Sequence, residues 1–113
     1  MPIRVSEKTY YSAQHVTGPS AVLVTLRFGT KPENGPYVIK KSPIDGESEV
    51  QHDVERFLDE VNQGIEKAKR EFKKEIEVEE IQIVTDDFPA EGQVAHVTYG
   101  IAKHYLEKVL TRR

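Results

Sequence analysis

A chain of 113 residues has the length of one domain, since a domain typically spans roughly 100–150 residues. Apolar residues make up 37% of it, a little under the usual ~45–50%, so the expected core is modest. With 16 basic against 19 acidic residues the net charge is −3, which excludes a general coat for nucleic acid, a role that needs clustered surplus Lys and Arg.

The first strand signal is Thr9 to Val16, rich in aromatic and β-favouring residues and closed by the turn-forming run Thr17-Gly18-Pro19-Ser20. Alternation makes one of Tyr10 and Tyr11 point inward. From Ala21 to Thr30 the alternation is clear: Val22, Val24, Leu26 and Phe28 face one way, and Thr25 and Arg27 the other. The turn-rich stretch at 31–36 leads into a third strand, Tyr37 to Lys41.

A long helix is predicted from Gly46 to Lys74. Val50, Val54, Phe57, Leu58, Val61, Ile65, Ala68 and Phe72 recur at gaps of three and four, apart from the adjacent Phe57 and Leu58, and form one stripe. Ser48 with Gln51 three residues on reads as a capping box at its start. Glu47, Glu49, Asp53 and Glu55 near the start and Lys67, Lys69, Arg70, Lys73 and Lys74 near the end complement the macrodipole. Gly64 interrupts the stripe at a cost of about 1 kcal/mol relative to Ala. That is less than the burial of a single large apolar side chain contributes, about 1.5–3 kcal/mol.

A fourth strand is predicted within Ile76 to Asp87. Ile76 and Val78 share one parity and Ile81 and Ile83 the other, which places a bulge or a change of path near Glu79–Glu80. The run at 86–93 is a loop, and Val94 to Leu110 is a second helix with a broad apolar face and its own glycine, Gly100. Two helices that each keep a glycine imply a close backbone approach to one another or to the sheet. The expected fold is α+β, a two-layer sandwich in the order β-β-β-α-β-α, with four strands and both helices on one face.

Motifs that carry chemistry are absent. Residues His15, His52, His96 and His104 show no metal-ligand spacing, there is no Cys for a thiolate site or a disulfide, and no G-x-S-x-G, P-loop or G-x-G-x-x-G occurs. The expectation is therefore no metal, no cofactor, no nucleotide and no enzyme activity. Asp86 and Asp87 at a strand end read as turn or cap residues that bond backbone amides; a hydrolase using Asp86, Asp87 or His96 would require them to converge in one pocket. No run of about 18 apolar residues occurs, so no membrane span is expected, and the cysteine-free composition fits a cytoplasmic location. The basic run 67–74, with Arg112 and Arg113, reads as a solvated helix end and as the remaining candidate for an RNA contact.

Several segments, taken in order, resemble one family. Val5 to Tyr11, Ala21 to Leu26, Tyr37 to Lys40, the glycine-isoleucine pair within Val61 to Ala68, and Val78 to Asp86 are similar to successive elements of the fourth domain of elongation factor G. That domain has the fold also seen in the second domain of ribosomal protein S5. The resemblance implies a left-handed crossover around the first helix, and a tip whose loops reach the ribosomal decoding region. The corresponding loops here run from His15 to Ser20, with Thr17, Gly18 and Pro19, and from Asp87 to Gln93, with Phe88, Pro89 and Glu91. The first lacks the family's glycine-rich basic stretch, and the second has Phe-Pro-Ala-Glu-Gly where the family has a Tyr-His pair followed by acidic and serine residues. The resemblance and the basic run together give the expectation of a stand-alone, non-enzymatic domain contacting RNA or the ribosome through His15, these loops and Lys67, Lys69, Arg70, Lys73 and Lys74. A homodimer or protein–protein module covering the wetter sheet face or an edge strand is the alternative.

Overall fold

In the computed structural model the residues described are 3–6, 10–41, 53–84, 87 and 89–111, with side chains to residue 108. Strands β1 (Arg4–Ser6), β2 (Tyr10–Thr17), β3 (Ser20–Phe28) and β4 (Tyr37–Lys41) precede helix α1 (Val54–Phe72), strand β5 (Val78–Val84) and helix α2 (Gln93–Thr111). The fold is α+β: a five-stranded mixed sheet in the order β1-β2-β3-β5-β4, with two helices packed against each other and against the sheet. The expected four strands are thus corrected to five. The additional β1 pairs antiparallel with β2, Val5 opposite Tyr11, and its three residues are too few to show alternation.

β2 and β3 form a hairpin in which Thr17 faces Ser20 across Gly18-Pro19. Gly18 has φ +57°, and Pro19 holds its own φ near −65°; a positive first and negative second central φ is the type II′ pattern, whose twist suits a hairpin. β3 alternates as predicted: Val22, Val24 and Leu26 are fully buried, and the residues between them are half-buried. Tyr11 of the tyrosine pair points inward and packs edge-on against Tyr105.

β5 lies between β3, to which it is antiparallel, and β4, to which it is parallel. Its register slips where Arg27 pairs with Glu80 but Phe28 with Val78, so Glu79 is the extra residue of a bulge. Of the bulge or change of path that the parity change allowed, it is the bulge that forms, and it lets Val78, Ile81 and Ile83 all reach the core. On the opposite surface Arg27 pairs with Glu79 at 3.3 Å and Tyr10 donates to Glu80.

α1 starts later than the stripe suggested. Asp53 is extended (φ −74°, ψ 107°), and its carboxylate accepts from the Arg56 amide at 3.1 Å, so the N-cap is Asp53. The Ser48–Gln51 pair lies outside the described residues, as does His52. At the far end Lys73 adopts the left-handed conformation (φ 54°) and closes the helix. Phe57, Val61, Ile65 and Ala68 are buried in the same cluster as Val94, Val97, Ile101, Ala102 and Leu106 of α2. Gly64 is where the helices touch: a Cβ there would lie 2.7 Å from the Ala95 carbonyl oxygen and 2.8 Å from the Tyr99 nitrogen. No helix among the described residues is long and apolar enough to cross a membrane.

Candidate functional site: the loop-bearing end

Strand direction brings the candidate loops together. Because β5 runs antiparallel to β3, the end of β5 approaches the start of β3, with Val24 opposite Ile83. The β2–β3 turn and the segment after β5 therefore share one end of the sheet.

Side chains then tie the two loops. The Asp87 carboxylate accepts from the Leu23 amide at 2.8 Å, a backbone-bonding role like the one its sequence context suggested. Gln93, only 6% exposed, accepts from the Ala90 amide through Oε1 at 2.8 Å. That bond fixes the amide orientation and points Nε2 at β2, where it donates to the His15 carbonyl at 3.2 Å and lies 2.8 Å from His15 Nδ1. An amide nitrogen only donates, so Nδ1 accepts and the neutral His15 ring carries its proton on Nε2. The His15 ring meets the His96 ring edge-on at 5.3 Å.

α1 braces the same end from below. Arg56 donates to the Pro89 carbonyl at 2.9 Å and pairs with Glu60 at 3.5 Å. Glu60 accepts from the Ala95 amide, in the first turn of α2. Around this scaffold Thr17, Gly18, Pro19 and Glu91 are exposed, Pro89 is half-buried, and Val16 is 63% exposed. Phe88, Asp86, Arg112 and Arg113 lie outside the described residues.

The basic run sits elsewhere. Lys67 to Lys74 occupy the other end of α1, about 20 Å from Val54 at a rise of roughly 1.5 Å per residue. The structure also divides the run. Lys69 turns to Glu75 at 3.0 Å and Glu66 at 3.3 Å, and those bonds hold its ammonium above the ordinary lysine value despite partial desolvation. Lys73 and Lys74 belong to the helix terminus. Lys67 lies over the Tyr99 ring, 4.5 Å from its centre, and Arg70 is exposed.

Sequence reasoning missed Tyr99; it weighed His96 only for a metal or a hydrolase and met Gln93 only as the end of the second loop. Gln93 and His15 are 78 positions apart, and no local pattern announces their contact. Among the described residues no group of three or more His, Cys, Asp or Glu side chains is placed to hold a metal ion. A cavity of about 480 Å³ opens between the 31–36 loop, α1 and β5, floored by Val61, Ile65, Val78 and Ile81 and remote from the two tied loops. No protein-family model matches the chain, and a search of curated proteins returns no significant match.

Proposed function

We propose that the chain is a non-enzymatic binding domain, similar to the fourth domain of elongation factor G, that contacts RNA with its loop-bearing end. The observation that carries this reading is the tethering of the two loops into one rigid surface by the Gln93–His15 and Asp87–Leu23 bonds. Loops held by the buried Gln93 and the half-buried His15 and Asp87 present a preformed shape, so less ordering entropy is lost on binding. The β4-α1-β5 arrangement, a helix joining two adjacent parallel strands, supports the same kinship. In this reading the domain is a two-layer sandwich with both helices over one sheet face. The shared burial of Val22, Val24 and Leu26 with the inner stripes of both helices supports that.

The test is cosedimentation with ribosomes across a salt series. Contacts to phosphates predict pelleting at about 50 mM salt that fades by about 200 mM. No pelleting at the lowest salt contradicts the reading, and pelleting with ribosomes but no binding to free ribosomal RNA makes a ribosomal protein the partner.

One observation favours self-association as a second reading. β4 is the end strand of the sheet, and Tyr37 and Val38 on it are 61% and 39% exposed. Antiparallel pairing of two copies centred on Ile39 sets Tyr37 opposite Lys41 and Val38 opposite Lys40, so that no lysine faces another. Light scattering after size exclusion reads this directly as twice the monomer mass.

A further inference from the structure

Where α1 and α2 cross at Gly64, an open groove of about 580 Å³ runs along the outside of the helix pair. Lys67, Arg70, His96, Tyr99, Asn62 and Gln63 line it. We infer that this groove binds the sugar–phosphate backbone of single-stranded RNA, extending the contact made by the loop-bearing end. The inference rests on the reading of that end as an RNA surface.

Three features favour this ligand. First, the cations are not ion-paired: among the described residues no carboxylate lies within ion-pair distance of Lys67 or Arg70, and Arg70 donates from Nε to the Glu66 carbonyl at 3.4 Å. Glu66, the one acid in the lining, is engaged by Lys69 at 3.3 Å. Second, the cations accompany an aromatic ring. Tyr99 is half-buried, fixed by its hydroxyl to Glu71 at 2.7 Å, and covered by the Lys67 ammonium. A positive groove with an aromatic platform is the general design of single-strand binding surfaces. Third, the exposed amides of Asn62 and Gln63 both donate and accept, as recognition of a ribose 2′-hydroxyl requires.

The groove is also continuous with the proposed tip. His96 lines it and touches His15, so one track leads from the β2–β3 hairpin over His96 to Lys67 and Arg70. An acidic peptide would match the charge but would leave the ring and the amides without a role. The helix-end lysines Lys69, Lys73 and Lys74 are not in the track.

Fluorescence anisotropy with a labelled single-stranded RNA of about twelve nucleotides tests this. Lys67→Ala combined with Arg70→Ala removes two exposed cations and leaves the core intact, which an unchanged melting temperature checks. The double variant is expected to bind about tenfold more weakly, with the salt slope reduced by about 1.4 for two lost phosphate contacts. Lys73→Ala combined with Lys74→Ala is expected to change affinity far less. If the wild type binds and the double variant binds equally, while His15→Ala loses affinity, the groove is wrong and the tip reading stands. If the wild type binds no RNA at low salt, both fall. Equal affinity for poly-glutamate, lost in the same double variant, makes the groove a peptide site and overturns the RNA assignment.

Discussion

The Glu60 carboxylate on α1 accepts a hydrogen bond from the Ala95 amide at 3.1 Å, so one helix caps the first turn of the other. α2 has no acidic residue in its own first turn, and the capping charge comes from a neighbour that is only 4% exposed. Glu60→Ala strips a half-buried donor of its acceptor and is expected to cost about 2 kcal/mol of stability. Glu60→Gln keeps an acceptor oxygen and should cost less than half of that. Urea denaturation of the three proteins measures both values.

Gly64 holds the same interface together by lacking a side chain. In an exposed helix, Gly→Ala gains about 1 kcal/mol. Here the added Cβ would lie 2.7 Å from the Ala95 oxygen and 2.8 Å from Thr98 Cβ, so the helices must part. Gly64→Ala is expected to be net destabilising by about 1–3 kcal/mol, whereas Asn62→Ala, exposed two residues earlier, should change stability by no more than about 0.5 kcal/mol. Thermal melts of the pair check the contrast.

Gly18 is required by conformation alone. A Cβ on it would meet nothing within 4 Å, yet its φ of +57° penalises any L side chain. Gly18→Ala should therefore destabilise by about 1 kcal/mol, a drop in melting temperature of roughly 4–8 °C for a domain of this size. It should also weaken RNA binding, because the turn it distorts belongs to the proposed contact surface.

Much of this fold was legible because its signals are local. The β3 alternation is a property of nine consecutive residues, and the parity change between Val78 and Ile81 marked an irregularity near Glu79–Glu80 that the pairing with β3 makes a bulge at Glu79. The stripe on α1 was equally plain, but Val50 falls in phase with it, which drew the predicted start back past the true cap at Asp53. β1 escaped notice because three residues carry no periodicity. The two loops could be delimited from the sequence, while the contacts that His96, Gln93 and Tyr99 make around them could not. Their positions depend on strand direction and helix crossing, which sequence spacing does not encode.

Tyr99 offers a probe of the groove that needs no ligand. Its hydrogen bond to Glu71, with some desolvation and the nearby carboxylate charge, raises the phenol above the ordinary tyrosine value of 10.0. A folded value above the unfolded one means that the contact's stabilisation is complete below about pH 10 and is lost as pH rises through the folded value. Ultraviolet titration should place the Tyr99 ionisation above the ordinary tyrosine value, and Glu71→Gln should move that ionisation to lower pH. A tyrosine profile identical in both proteins would show that the contact does not form.

The most direct test of the central claim is an amide chemical-shift map recorded while single-stranded RNA is added at low salt. Shifts are expected in residues 15–20 and 92–99 and at Lys67 and Arg70, fading together as salt rises, with β4 and the 31–36 loop unmoved. A spectrum that RNA leaves unchanged, or changes only along β4, would contradict the account.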